Sequence, residues 1–462
     1  MLVVDAKRLP LASKASTLSP SGLMIGPAAI NPDKDIDADA VGVAVVDDEL
    51  ALLPDEPPLP PARAKPPSPA PKPDKLNDGA DATAGIVAAH LRSLGIEVQE
   101  KVGYTGVVGV LRGGKPGPVV ALRADMDGLP VTERGDLPFK SKVITEFNGQ
   151  KTGVMHACGH DSHVAILMAV AEILASEKAK LAGTVKFIFQ PAEEGVYNDK
   201  GEMVLSGAEL MVKEGVLENP KVDVIFGLHI AAGSDNGVIE YKPGATMAAV
   251  DQLDIKVNGK QAHGASPWTG IDPIVISSQI VMGLQTIVSR SVNITEDPAI
   301  VTVGAIHSGI RQNIIPESSH MIGTIRTFGV EQRKLVHQRI KDIATNIAIS
   351  GGGKADVTIG TGYPVTYNNP QLVEKMLPTL QGVNGKDRVR VVPAHTGAED
   401  FSFFQQKVPG FFFFLGARAD NKKADEVAGH HTPDFHLDEG HFQVGVKALS
   451  SLVVDYFEQA KK

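Results

Sequence analysis

From about residue 81 onward the chain alternates between two apolar rhythms. Short runs in which most positions are apolar predict buried strands, and longer stretches with apolar residues every three or four positions predict helices. Residues 82–94 read as an amphipathic helix closed by Gly95. Residues 106–111 and 119–124 read as strands. Residues 161–174 read as a helix with apolar positions at 164, 166, 167, 170, 173 and 174, and Asp161 or Ser162 can cap it. A strand at 184–189, a helix at 208–216 and a strand at 222–229 follow. This rhythm predicts an α/β fold: an open, mostly parallel sheet with helices on both faces.

The pattern then changes. Strand 252–257, helix 271–288, strands 299–308 and 318–328, helix 330–348 and strand 355–360 spell β-α-β-β-α-β, a split ferredoxin-like unit. It reads as a domain over 242–362, inserted into a discontinuous domain formed by 79–241 and 363–462. In the second part a helix is expected at 372–380, strands at 389–392 and 410–415, and a closing helix at 442–458. Residues 1–78 differ from all of this. Positions 33–56 are acidic, and half of positions 54–73 are proline. Such a low-complexity segment cannot offset its ordering entropy by burial, so a disordered, partly polyproline linker is expected.

Composition narrows the classes. With 43% hydrophobic and 21% charged residues, the 462-residue chain reads as soluble and globular, with two or three domains. A net charge of −9 without a Lys/Arg cluster argues against nucleic acid as a partner. A single cysteine rules out an intrachain disulfide. No apolar run approaches a membrane span, and no basic segment leads into an apolar one at the start, so a cytoplasmic protein is expected.

That cysteine sits in Met155-His156-Ala157-Cys158-Gly159-His160-Asp161. Thiol, imidazole and carboxylate within four positions suit a divalent transition metal such as zinc, cobalt, nickel or manganese. Taken alone, Cys158 reads equally well as a small buried hydrophobe. As a third alternative it is a nucleophile, which needs a base and an oxyanion hole nearby. Four further clusters lie at the ends of expected strands, where open α/β sheets bind ligands. Asp125 and Asp127 follow 119–124. Glu193 and Glu194 follow 184–189; facing opposite ways, one can bind metal while the other acts as a base. His229 closes 222–229, and His430 and His431 precede the last helix. Together the candidate donors are Cys158, His160, Glu194, His229 and His431, with Asp125, Asp127, Asp161 and Glu193 around them. Five mixed donors exceed one tetrahedral zinc and suit two ions that share a ligand. The near-match to a phosphate-binding loop at 109–116 fails, because Pro116 stands where Ser or Thr is needed.

These strings, in this order, resemble the di-metal aminoacylase/carboxypeptidase superfamily. Within it they are most similar to the amidohydrolase branch of hippurate hydrolases, N-acyl-amino-acid amidohydrolases and indole-acetyl-amino-acid hydrolases. The resemblance runs from about residue 81 to the C-terminus and rests on 123–130, 153–161, 190–195, 227–230, 258–267, 313–326, 396–401 and 431–435. It implies two divalent ions (zinc, manganese, cobalt or nickel) held by Cys158, His160, Glu194, His229 and His431, with Cys158 bridging. It implies Glu193 as general base and Asp127 as support behind the ligands. The inserted unit would be a lid and dimerisation domain whose His263 reaches the other subunit's site in a homodimer. Asn313 and Arg326 would hold a substrate carboxylate, and Gly397 would lie in a loop approaching the substrate. The implied substrate is a small acyl-amino acid or peptide. An aminopeptidase or dipeptidase on the same scaffold, and a catalytically disabled binding protein, are the alternatives. Relatives begin with a further helix carrying a His-x-x-Pro-Glu-Leu-like segment. This chain has acidic and proline-rich residues there instead, and several kcal/mol of packing would go with that helix at about 1.5–3 kcal/mol per large side chain.

Overall fold

The structure, a computed structural model, describes residues 77–147, 149–196 and 204–460. The segment expected to be disordered over 1–78 lies outside the described residues except for its last two positions. In chain order the main elements are α1 (Asn77–Ser93), β1 (Glu97–Val102), β2 (Gly106–Arg112), β3 (Lys115–Asp125), α2 (His160–Ser176), β4 (Ala182–Gln190), α3 (Gly207–Lys213), β5 (Val224–Asp235), β6 (Ile239–Tyr241) and β7 (Ala249–Asn258). They continue with α4 (Pro273–Thr286), β8 (Ala299–Ser308), β9 (Ser318–Thr327), α5 (Val330–Ser350), β10 (Lys354–Thr361), α6 (Pro370–Asn384), β11 (Val389–Val391), β12 (Gly410–Arg418) and the closing helix α7 (Phe442–Gln459).

The chain divides into two compact units. One gathers the described residues up to Tyr241 with Glu374–Arg390 and those from Phe411 onward; the other is Lys242–Val373 with Val391–Gly410. The stretch 363–462, expected to belong wholly to the first, is therefore shared between them: 363–373 and 391–410 cluster with the second.

The first unit is built on an eight-stranded sheet of order β1-β2-β4-β3-β5-β12-β6-β11. Its centre is parallel, β4 with β3 and β3 with β5. The flanking pairs β1–β2, β2–β4 and β12–β6 are antiparallel. The central strands are buried over most of their length, which is why they read as continuous apolar runs. Their register decides the site. Leu122 pairs with Phe187 and Phe226, so Asp125 pairs with Gln190, and Arg123 lies opposite Gly227. The carboxyl ends of the three strands therefore finish side by side. Helix α2 buries Val164, Ile166, Leu167, Val170 and Leu174, packing against β3, β5 and α7. At about 1.5–3 kcal/mol per large side chain, this face anchors the N-terminus of α2 at the sheet edge.

The second unit carries a four-stranded sheet of order β8-β9-β7-β10, with every pair antiparallel. Burial alternates along β7, and its inward residues Leu253, Ile255 and Val257 share a core with Ile276, Ile280 and Leu284 of α4 and Val336 and Ile340 of α5. Asp251 on β7 accepts from Arg333 Nε at 2.8 Å and from His337 Nε2 at 2.6 Å, tying the sheet to α5. Among the described residues no helix is long and apolar enough to cross a membrane.

Candidate metal centre

Three chain reversals bring the donors to the sheet's carboxyl edge. The first is the turn into α2. Gly159 has φ 92°, and a Cβ there would stand 2.4 Å from Cγ2 of Ile230, so only glycine fits. This turn sets Cys158 and His160 next to the end of β5. The second follows β4, where Ala192 adopts φ 53° just before Glu193 and Glu194. The third is the loop before α7, where His431 adopts φ 64° and its N–H donates to the carbonyl of Ala157 at 2.8 Å. Left-handed conformations at non-glycine residues cluster at functional sites because each costs about 1–3 kcal/mol.

The sulfur of Cys158 lies 3.4 Å from Nε2 of His229 and 3.3 Å from Nε2 of His431. His431 Nε2 is also 3.0 Å from Oε1 of Glu194. His160 is fully buried. Its Nδ1 donates to the carbonyl of Asp127 at 3.0 Å, leaving Nε2 buried without a hydrogen bond and 3.8 Å from Oε2 of Glu193. His229 Nδ1 donates to the carbonyl of Ile230 at 2.6 Å. Asp127 touches two members of the set: its Oδ1 is 3.1 Å from His160 Nδ1, and its Oδ2 accepts the N–H of Glu194 at 3.0 Å.

This arrangement fits a metal. His160 and His229 each spend Nδ1 on a backbone carbonyl and turn Nε2 inward, the orientation metal-binding imidazoles take when an outer hydrogen bond fixes the tautomer. Ligand atoms of Cys158, His160 and His229 lie within 4.8 Å of one another; so do those of Cys158, Glu194 and His431, and those of His160, Glu193 and Glu194. The mixture of sulfur, nitrogen and oxygen suits zinc-like ions.

Electrostatics agree with geometry. Burial pushes His229 well below its ordinary pKa, helped by His163 and His430, so its imidazole is neutral and able to ligate. Burial opposes charge on His160, but Asp125 and Asp127 raise it well above the usual histidine value. Contacts with Cys158 and Glu194 raise His431 to about 10. The anionic cluster thus holds protons that ion binding would release.

The structure brings together Asp127, Cys158, His160, Glu193, Glu194, His229 and His431, all in the first unit. His430 does not join them: its Nδ1 donates to the carbonyl of Cys158 at 3.2 Å and its Nε2 accepts the N–H of Ala232 at 3.3 Å. Asp161, expected around the donors, instead lines a separate cavity of about 90 Å³ with Glu133, His156 and Glu439. His263, Asn313, Arg326 and Gly397 belong to the second unit. There the short strands Ala262–His263 and Ile314–Ile315 pair, and Gly264 N–H donates to the carbonyl of Asn313 at 2.9 Å, so His263 and Asn313 are neighbours. Arg326 lies on β9, where burial lowers its pKa against the pull of Asp251. The carbonyl of Gly397 accepts from Ala248 at 3.0 Å.

Sequence reasoning missed two side chains here. Arg123 and Asp125 form a fully buried ion pair at 2.7 Å, and His163 donates to the other oxygen of Asp125. Both were signalled by spacing: Arg123 stands two positions before Asp125 on a strand, and His163 three positions after His160 on a helix.

A donor cluster of this composition at the carboxyl edge of an α/β sheet is suited to hold divalent metal ions. The family model described as Peptidase family M20/M25/M40 matches residues 121–455, and the chain belongs to that family. It is 41% identical to Thermostable carboxypeptidase 2 of Saccharolobus solfataricus over 376 residues, covering 81% of this chain and 90% of the relative. It is 36% identical over 357 residues to N-acetylcysteine deacetylase of Bacillus subtilis, covering 77% and 86%. Among solved structures it is similar to the Bacillus subtilis YXEP protein, titled a dinuclear metal binding peptidase from the M20 family. The TM-score there is 0.66 at 33% identity, over 81% of this chain and 92% of that one.

Proposed function

We propose that this chain is a two-metal amidohydrolase that cleaves the amide bond of N-acyl-amino acids and similar conjugates, releasing the free amino acid. One observation carries the reading: the sulfur of Cys158 belongs to two overlapping donor groups, one with His160 and His229 and one with Glu194 and His431. Two divalent ions sharing that thiolate would supply Lewis acidity and a water of lowered pKa. Metal analysis of the purified chain should find two divalent ions per chain, drawn from zinc, manganese, cobalt and nickel.

Glu193 is the general base in this reading. It leaves the same strand end as Glu194, it is 6% exposed, and its carboxylate lies 3.8 Å from His160. It takes the proton of the attacking water and returns it to the departing nitrogen. Asp127 holds His160 and the backbone of Glu194 in place. In the second unit, Arg326 and Asn313 would bind the substrate carboxylate, Arg326 through its planar fork. Gly397 would lie beside the substrate. His263, in a homodimer, would serve the other subunit's reaction. These four assignments rest on the family resemblance.

Similarity to a named carboxypeptidase favours a second reading, peptide substrates on the same scaffold. Release of free amino acid from N-acetyl-amino acids, hippurate and dipeptides by the metal-loaded chain separates the two. Glu193→Gln should keep the metal content and lower turnover by about 10²–10⁴-fold. Unchanged turnover removes Glu193 from the chemistry.

A further inference from the structure

Two members of one group of close titratable side chains, Asp125 and His163, are not used by the proposed chemistry. Asp125, His160 and His163 are all buried and bring ligand atoms within 4.8 Å of one another, which on distance alone would suit a third cation. Hydrogen bonding argues otherwise. Nε2 of His163 accepts the backbone N–H of Ile230 at 2.8 Å. A backbone amide only donates, so this nitrogen carries no proton and the ring proton sits on Nδ1. Nδ1 donates to Oδ1 of Asp125. Oδ2 of Asp125 accepts from Nη1 of Arg123 at 2.7 Å, and Nε of Arg123 donates to Oε1 of Gln190 at 2.8 Å. Both nitrogens of His163 and both oxygens of Asp125 are therefore engaged.

The far end of this chain of bonds is the backbone of Ile230, whose N–H and carbonyl lie in the peptide units on either side of its Cα. His163 holds its N–H, and its carbonyl holds Nδ1 of His229 at 2.6 Å. The His163 and His229 rings also pack at 4.6 Å between centroids, inclined by 68°. Nε2 of His229 is the nitrogen that faces the sulfur of Cys158 at 3.4 Å. We infer that Arg123, Asp125 and His163 are positioning residues that lock the backbone at Ile230 and so aim His229 at the metal centre. The inference rests on His229 and Cys158 being ligands. The bonds cross from β3 through α2 to β5, so the relay fixes elements that sequence-local contacts cannot. Outer-shell partners of this kind typically contribute roughly 10–100-fold in metal affinity.

Two measurements test it. Imidazole ¹⁵N–¹H spectra of the metal-free protein, labelled at histidine, should show His163 protonated on Nδ1 alone; an Nε2–H tautomer overturns the relay. Cobalt(II) affinity by chelator competition, with the ion's visible absorption, is then compared across wild type, His163→Phe and His163→Gln. The phenylalanine keeps volume but neither hydrogen bond and should weaken binding about 10–100-fold with a changed spectrum. The glutamine amide can donate and accept, and should restore most of the affinity. Wild-type affinity in His163→Phe, or equal losses in both variants, overturns the proposal. Cys158→Ala, run alongside, separates the failures: unaltered binding there sinks the metal-centre reading, whereas unaltered binding in His163→Phe alone sinks only the relay.

Discussion

Asp251 is 1% exposed and ionised, a costly combination unless it is paired. Burial raises its pKa, but hydrogen bonds from Arg333 and His337 outweigh burial and hold the carboxyl at about 2, below its ordinary 3.8. Because the folded value is the lower one, the stabilisation is complete above the unfolded value and disappears as the pH falls from about 4 toward 2. It amounts to about 2 kcal/mol. Asp251→Asn should therefore lower stability by about that much at pH 7, and the gap to wild type should close in acid. Denaturant titrations across pH check this; a gap that does not change with pH removes the ionic account. At this scale the candidate ligands were legible, because polar residues ending apolar strands stand out. Arg123 and His163 stood out less: Arg123 is embedded in an apolar strand two positions before Asp125, and His163 reaches Asp125 from another element, α2. Asp161, one position from His160 in sequence, lines a cavity with Glu133, His156 and Glu439.

The turn that opens α2 sets two donors at once, so its backbone matters more than any one side chain in it. Gly159→Ala must accommodate both a left-handed φ and a 2.4 Å approach to Ile230. We expect a loss of about 1–3 kcal/mol in stability together with weaker metal binding, read by thermal melts of the metal-free protein and by metal titration. Normal binding in a destabilised variant would separate this turn from the metal centre. Elements with a buried face were readable in type and place, and β8 was expected at its observed bounds, although β5, expected to end at His229, runs on to Asp235. Those without one were not. β1 is exposed at most positions, and half of the hairpin Ile144–Phe147 with Gln150–Gly153 is exposed, so neither carries an apolar rhythm. The helix expected over 271–288 starts at Pro273 because Asp272 caps the N–H groups of Ile274 and Val275. It gives way to a π-helical turn at Ile287–Ser291.

The order of strands and helices was enough to read the α/β architecture, because each buried element announces itself locally. Partner subunits leave no such periodic trace. In the second unit β8 is an edge strand whose outer side is unpaired within the sheet, and it exposes Ile300 and Ile306; Val275 and Met282 are exposed on α4. An apolar edge of this kind templates pairing with another strand unless it is covered. This supports the proposed homodimer, with β8 of one copy beside β8 of the other. Sedimentation of the purified chain should give a dimer, and Ile306→Lys should shift it toward monomer. A monomeric wild type would remove the pairing and, with it, the role given to His263.

The sole thiol of the chain lies at the point shared by both donor groups, and Cys158 is 8% exposed. An oxidised Cys158 has no second thiol in its own chain with which to close a protective disulfide. Rescue of its sulfenic acid must come from an outside reductant before further oxygen makes the lesion permanent. One chemical event at a single atom would then disarm both halves of the centre together.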